Sequence, residues 1–188
     1  MNPRLAILLA VMAAAVAPDA LRADAVATVR PAACEFVVAG HRALMHREAQ
    51  PDFDYDSVEV RWLRASRTAV QWLLGVGAGK PRGEFGSYVA MGFGGLRYYF
   101  DHSPSVDVYL QVDSGVFVTD ANRVHSQRLI GNTLEFRSQG ALGAGWRPAW
   151  LHGRTMFAEV DYEHISNAGL ARRNLGADDF GLAFGLRW

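Results

Sequence analysis

The sequence predicts an all-β protein, and more narrowly an eight-stranded antiparallel transmembrane β-barrel. Three observations lead to this fold class. Apolar and polar residues alternate with a period of two along most of the chain, which is the spacing of a strand with two different faces. An apolar N-terminal segment of the secretory type precedes the alternating part. The final residue, Trp188, is aromatic and ends an alternating segment.

The N-terminus is predicted to be a signal peptide, residues 1–25, ahead of a barrel domain at residues 26–188. Arg4 supplies the positive charge, and the apolar run that follows is too short to span a bilayer comfortably. We place the cleavage after Ala25, because an earlier run of small residues is followed directly by Pro18.

Composition limits the classes of protein to be considered. The 188 residues contain 19 Lys and Arg against 19 Asp and Glu, so net charge gives no argument for a nucleic-acid partner. Half of the residues are apolar, yet mean hydropathy is zero, so polar residues are spread among the apolar ones. Cys34 is the only cysteine, which excludes an intrachain disulfide; we interpret it as a buried thiol rather than a lipid-modified cysteine.

The alternation is clearest from Val106 to Val118, where even positions are almost all apolar and odd positions are mostly polar. An eighth strand with a weaker pattern is predicted within Cys34–His46. Gly, Pro, Asn and Asp separate the segments, as expected for turns. Six further segments alternate in the same way: Val58–Leu63, Val70–Val76, Tyr88–Phe100, Leu134–Trp146, Met156–Glu163 and Phe180–Trp188.

Two architectures are compatible with alternating strands. A soluble sandwich or lipocalin-like barrel buries its apolar face, whereas a transmembrane barrel turns that face towards lipid. Long strands, an even strand number, the signal peptide and the acids and Gln on the polar face favour the transmembrane barrel. The segment that ends in Trp188 also resembles the C-terminal signature of bacterial outer-membrane barrels. A soluble sandwich with a periplasmic binding role is the alternative.

The stretch around His164 and Ser166 is the candidate functional segment. Residues two apart on a strand point to the same face, with Cα atoms about 6.5 Å apart, so an imidazole and a hydroxyl can approach each other. In a barrel whose C-terminus is periplasmic, both residues lie at the extracellular end of the seventh strand. Their even parity continues the lipid-facing set that includes Tyr162, and Asp178 shares its parity with Phe180.

Three polar groups are therefore predicted on the outer wall near the outer-leaflet boundary. Polar groups that face lipid are costly and invite a functional explanation. The ordinary alternative is that strand ends near the headgroups are partly wet, where polar residues cost little. The spacing of a base, a hydroxyl and an acid favours the functional interpretation, because it is the set that a base-activated serine needs.

At these residues the chain resembles the lipid A 3-O-deacylases of Gram-negative outer membranes, the PagL-type family. The segment His164-Ile165-Ser166-Asn167-Ala168-Gly169-Leu170 is similar to the family's His-x-Ser-Asn-Ala-Gly motif, and Asn174-Leu175-Gly176 is similar to its Asn-x-Gly turn. Asp178 stands where the family keeps its acid, which is Glu in the family pattern. Elsewhere the resemblance covers only the barrel pattern from about Cys34 to Trp188.

The resemblance implies a multi-pass outer-membrane hydrolase that removes the ester-linked acyl chain at the 3-position of lipid A, without calcium or another cofactor. It implies that Ser166 is the nucleophile, His164 the general base and Asp178 the acid that orients the imidazole. Asn167 resembles the family residue associated with the oxyanion hole. The implied partners are lipopolysaccharide and the outer membrane, with a homodimer left open.

Phosphate binding, metal binding and a non-catalytic role remain to be considered. Arg172 and Arg173 follow the candidate segment and are candidates for contact with a lipid A phosphate, the alternative being a solvated charged loop. The remaining histidines show no spacing typical of metal ligands, so no metal site is predicted. A non-catalytic barrel with a structural or adhesive role is the alternative function, and the acid at Asp178 in place of Glu is its best argument.

Overall fold

The computed structural model describes residues 30–43, 53–82, 86–102, 105–121, 133–170 and 176–188. Eight antiparallel strands pair in sequence order, and the first also pairs with the last, so the sheet closes into a barrel. The predicted fold class is confirmed. The strands are β1 (Ala33–Ala43), β2 (Tyr55–Leu63), β3 (Val70–Pro81), β4 (Val89–His102), β5 (Val106–Thr119), β6 (Leu134–Trp146), β7 (Thr155–Ser166) and β8 (Ala177–Arg187).

Three sequence predictions lie outside the described residues: the signal peptide at residues 1–25, Arg172 and Arg173. Between β6 and β7 the chain forms one 3₁₀ turn, Ala149–Leu151. No helix in the described ranges is long and apolar enough to cross a bilayer.

The two faces of the barrel wall differ in polarity, and the polar face is inside. On β7, Val160 is 48% exposed, whereas its neighbours Glu159 and Asp161 are each 2% exposed. The same alternation of exposed apolar and buried polar residues recurs on the other strands. Because an apolar exterior around a polar interior is stable only in lipid, the barrel is a transmembrane one, and the soluble sandwich is excluded.

The connections between strands orient the barrel in the membrane. β1 begins and β8 ends at the same end of the barrel, where Glu35 pairs with Arg187. In bacterial barrels this end, with its shorter turns, faces the periplasm, and the longer loops face outward. The shorter set here comprises residues 64–69, 103–105 and 147–154, and the opposite set comprises 44–54, 82–88, 120–133 and 167–176. The end of β7 and the start of β8 are therefore extracellular.

Buried ion pairs fill the lumen. The fully buried Arg97 donates to both carboxylate oxygens of Glu35 at 2.5 and 2.9 Å, to Gln111 at 2.7 and 3.1 Å and to Glu159 at 3.3 Å. An eight-stranded barrel is just wide enough for side chains to fill its interior. The lumen is therefore a packed polar core that ties distant strands together.

Removing one member of this core is expected to destabilise the barrel strongly. Arg97→Met leaves the Glu35 carboxylate with fewer buried partners, and breaking a buried pair in this way costs about 3–5 kcal/mol. The matched control is Arg82→Met, because the Arg82 side chain is 54% exposed and its ion pair with Asp56 is at the surface. Surface pairs contribute about 0–1 kcal/mol. Urea titration in lipid vesicles, monitored by tryptophan fluorescence, measures the free energy of unfolding of both variants. An equal loss of stability in the two would contradict a stabilising role for the buried ion pairs of the lumen.

Candidate active site

The end of β7 carries His164 and Ser166 on the outward face. Their neighbours Glu163 and Ile165 are fully buried on the lumen side, whereas the His164 side chain is 30% exposed. β8 runs antiparallel to β7, and the register pairs His164 directly with Asp178. Both side chains therefore leave the same surface of the wall, near the extracellular ends of two adjacent strands.

Asp178 is the centre of the hydrogen bonds at this site. His164 Nδ1 lies 2.7 Å from Asp178 Oδ1, and the Tyr162 hydroxyl donates to the same oxygen at 2.7 Å. An ionised carboxylate can only accept hydrogen bonds, so Nδ1 carries the proton. In the neutral ring, Nε2 is then left as the acceptor nitrogen, which is the state a general base requires.

Ser166 is the last residue of β7 and has an apolar neighbour on β6. On β6 its register partner is Phe136, which is 40% exposed on the lipid-facing wall. Within the described residues no hydrogen bond joins Ser166 Oγ to the His164 ring. The other outward serine close to the imidazole is Ser138, the register partner of His164 on β6, and its hydroxyl is bonded to Ser114 at 3.1 Å.

A tight turn follows the serine. The Leu170 amide donates to the Asn167 carbonyl at 2.9 Å, and the central residues Ala168 and Gly169 have φ of 51° and 84°. Positive φ at both central positions is typical of a type I′ turn. The fully buried Asn167 also accepts the Gly169 amide on its side-chain oxygen at 2.9 Å. This hydrogen bond fixes the orientation of the Asn167 carboxamide: its oxygen points to the Gly169 amide, and its NH₂ group points away from it.

Gly176 closes the site from the β8 side. Its φ is 63°, and a Cβ added there would lie 3.0 Å from the Ile165 carbonyl oxygen and 3.3 Å from His164 Cε1. The same atom would be 3.7 Å from the Cβ of Ser166. Glycine is therefore required both by the backbone conformation and by the space that the imidazole occupies.

Gly176→Ala is expected to reduce activity more than stability. A left-handed alanine costs about 1 kcal/mol in backbone strain. Displacement of the imidazole adds a catalytic loss of about 10- to 100-fold, because small errors in the position of a reacting group are costly. Gly153→Ala is the control, because Gly153 has φ of 84° but nothing within 4 Å of an added Cβ. Fatty-acid release and thermal unfolding are measured on both; equal activity in the two variants would refute the steric role.

Comparison with known proteins assigns the family. The profile of the family described as lipid A 3-O-deacylase (PagL) matches residues 48–187, which include β2 to β8. The chain belongs to the lipid A 3-O-deacylase (PagL) family. No curated protein sequence matches the chain significantly.

Solved structures share the fold of this PagL-family chain. The outer membrane enzyme PagL is 18% identical, with a TM-score of 0.64 over 80% of this chain and 97% of the other. Neisserial surface protein A (NspA) is 11% identical, with a TM-score of 0.57 over 85% of this chain and 97% of the other. At these identities the similarity establishes the barrel fold alone.

The aspartate in place of the glutamate of the PagL-type pattern is accommodated by the strand register. Directly paired residues on antiparallel strands have Cβ atoms only about 4.5–5.5 Å apart. Asp178 is the direct partner of His164, so its short side chain reaches Nδ1. Glu163, the other acid beside the histidine, points into the lumen, where it pairs with Arg137 at 2.9 Å and accepts the Tyr55 hydroxyl.

Two residues of this site were not predicted from sequence. The sequence pattern assigns Tyr162 to the lipid-facing set, the same face as His164, but gives its hydroxyl no role at the site. In the sequence Gly176 is only a part of the PagL-type turn motif, and its contact with the imidazole depends on the pairing of β7 with β8. Among the described residues, no group of three His, Cys, Asp or Glu side chains is arranged to hold a metal ion.

Proposed function

We propose that this chain is an outer-membrane lipid A 3-O-deacylase that hydrolyses the ester at the 3-position of lipid A through Ser166, His164 and Asp178. The observation that carries the proposal is the 2.7 Å contact between His164 Nδ1 and Asp178 Oδ1 on the lipid-facing wall, with Ser166 two residues further along the same face. A barrel with a purely structural or adhesive role has no need for such a pair beside lipid.

The reaction begins with lipid A lying laterally against the wall, its ester at the level of the strand ends. His164 Nε2 takes the proton of Ser166 Oγ as the oxygen attacks the ester carbonyl. The tetrahedral intermediate collapses, the bond to the 3-oxygen of the sugar breaks, and His164 returns the proton to that oxygen. The products of this step are the alcohol and an acyl-enzyme.

Water completes the cycle. His164 takes a proton from the water that attacks the acyl carbonyl. As the second intermediate collapses, the bond between the acyl carbon and Ser166 Oγ breaks, His164 returns the proton to Oγ, and the fatty acid leaves. Asp178 keeps the imidazole in the required tautomer and stabilises the imidazolium that forms in both halves. Asn167 or backbone N–H groups donate to the oxyanion, a contact that contributes about 3–4 kcal/mol in related acyl transfer.

The position of the site explains how a membrane lipid reaches it. Phe136 on β6 and Phe180 on β8 flank the polar groups and are 40% and 45% exposed on the outer wall. Apolar side chains on either side of a hydrolytic site allow acyl chains to remain in an apolar environment while the ester meets the serine. Catalytic hydrogen bonds often form fully only when substrate binds, so a resting structure without a hydrogen bond between Ser166 and His164 is compatible with catalysis.

The test is direct hydrolysis by the purified full-length barrel. Wild-type protein in detergent, supplied with lipid A and a chelator, is expected to release one fatty acid per lipid, with the matching mass loss seen by mass spectrometry. Unchanged lipid A with a correctly folded barrel would refute the deacylase assignment and favour the non-catalytic alternative. Heat-modifiable mobility on gels verifies the fold.

A further inference from the structure

A cluster of charged residues lies at the extracellular rim, on or just after β1, β2 and β3, of which β1 pairs with β8 of the candidate active site. Arg42 is near the end of β1, Asp56 near the start of β2 and Lys80 near the end of β3, and Arg82 immediately follows β3. Arg42 is paired across the barrel closure with Phe180, which is two residues after Asp178. We call Arg42, Lys80 and Arg82 the rim cation cluster.

Two guanidinium groups of this cluster converge on one carboxylate. Arg82 donates to Asp56 through Nε at 2.6 Å and Nη2 at 2.8 Å, and Arg42 Nη2 donates to Asp56 Oδ1 at 3.2 Å. All three side chains are at the surface, with 54% of Arg82, 40% of Arg42 and 46% of Asp56 exposed. Arg42 Nη1 also donates to the backbone carbonyls of His41 at 2.6 Å and Tyr55 at 3.3 Å. Both arginine side chains nevertheless remain at the surface.

The cluster has more positive than negative charge. Its acidic partners in the described part of the chain are Asp56 and Asp54, which lies 3.9 Å from Arg42 Nε. Lys80 is the register partner of Asp56 but forms no ion pair with any described residue. Among the described residues, the three cations of the cluster outnumber these two carboxylates by one.

The location of the cluster indicates its ligand. Arg42 has the same parity as Phe36 and Val38, which are 43% and 51% exposed on the lipid-facing wall, so it also faces outward. Ionisable residues facing a membrane are costly and mark functional sites by default. Guanidinium groups offer paired donors that suit phosphate oxygens, and basic residues at a membrane surface attract anionic headgroups.

We propose that the rim cation cluster binds a phosphate group of the glycolipid whose ester reaches Ser166. This inference rests on the proposed function for the identity of the lipid. β1 pairs with β8, and β2 and β3 follow β1 around the barrel. Arg42 therefore lies one strand, or about 5 Å, from the strand that carries Asp178, and the rest of the cluster lies further along the wall. Phosphate binding there would hold the headgroup beside the wall while the acyl ester lies at the serine.

The experiment measures binding, so it does not depend on hydrolysis. Full-length barrels carrying Ser166→Ala are compared with and without Arg42→Gln plus Arg82→Gln, using phosphorylated lipid A and lipid A stripped of its phosphates in detergent micelles. The matched control is Arg64→Gln plus Arg67→Gln, which removes two exposed cations from the turn at the periplasmic end. A third variant, Asp56→Asn, breaks the same ion pairs but keeps both arginines.

The arginine double variant is expected to bind phosphorylated lipid A on the order of tenfold more weakly, with unchanged binding of the stripped lipid. The periplasmic control should match the parent, and Asp56→Asn should bind as well as the parent or better. Unchanged binding in the arginine variant, or an equal loss in Asp56→Asn, would overturn the proposal. Inorganic phosphate is titrated separately; if it binds as tightly as the phosphorylated lipid, the site is one for free anions and the lipid assignment fails.

Discussion

Ser166→Ala is expected to lower fatty-acid release from lipid A by about 10³-fold or more, because it removes the only oxygen that we assign to attack on the ester. The change deletes one hydroxyl from the outward face of β7 and leaves the pair of His164 with Asp178 in place. Stability should change little, since the side chain is partly exposed. Mass spectrometry of lipid A, from purified protein and from cells expressing each variant, measures the loss.

Ser138→Ala provides the matched control for that variant. Ser138 also faces outward, directly across from His164 on β6, but its hydroxyl is bonded to Ser114. It should retain activity close to that of the wild type. If Ser138→Ala were inactive and Ser166→Ala active, the nucleophile would have been assigned to the wrong strand. If both retained full activity, a serine mechanism on this wall would be ruled out.

Asp178→Asn is expected to reduce kcat by about 10⁴-fold, as for loss of the orienting acid in other Ser-His-acid enzymes. A carboxamide can present an N–H group to Nδ1, which favours the tautomer with the proton on Nε2 and removes the general base. It also lacks the negative charge that stabilises the imidazolium. Asp178→Glu should retain most activity, since the PagL-type pattern has Glu at this position. Full activity in the Asn variant would indicate that another group orients the ring.

Tyr162→Phe removes a hydrogen bond that orients the Asp178 carboxylate but leaves the charge of that carboxylate in place. The Tyr162 hydroxyl donates to the same Asp178 oxygen as His164 Nδ1 does. Loss of one hydrogen bond to a charged group costs about 1.5–3 kcal/mol, so kcat should fall by roughly 10- to 100-fold with little change in KM. An equal fall in kcat for Asp178→Asn and Tyr162→Phe would contradict a supporting role for the tyrosine.

The sequence predicted the fold class because a barrel wall has a simple repeat. Side chains alternate between lipid and lumen with a period of two, so each strand can be recognised within its own residues. The same rule predicted that His164, Ser166 and Asp178 share the outward face. The lumen network was not predictable in this way, because Arg97 and Glu35 are 62 positions apart. Such a contact depends on which strands face each other across the closed barrel.

At the candidate active site, too, part of the arrangement follows from neighbouring residues in sequence and part depends on the pairing of strands. Parity alone puts the Tyr162 hydroxyl beside His164, but only the register of β7 with β8 brings both to one oxygen of Asp178. The contact between Gly176 and the imidazole also requires that pairing. These contacts depend on side-chain direction and inter-strand register, which a one-residue slip would change completely.

The amino-acid order by itself determined the number of strands, the face that each residue occupies and the presence of a histidine and a serine on one face, since all of these follow from local periodicity. Tertiary structure alone decided that His164 and Tyr162 meet at one oxygen of Asp178, that buried charges fill the lumen, and that closure of β1 on β8 brings Arg42 close to the site. The physical reason is that strand register and barrel closure are set by the packing of the whole wall, to which residues far apart in sequence contribute together.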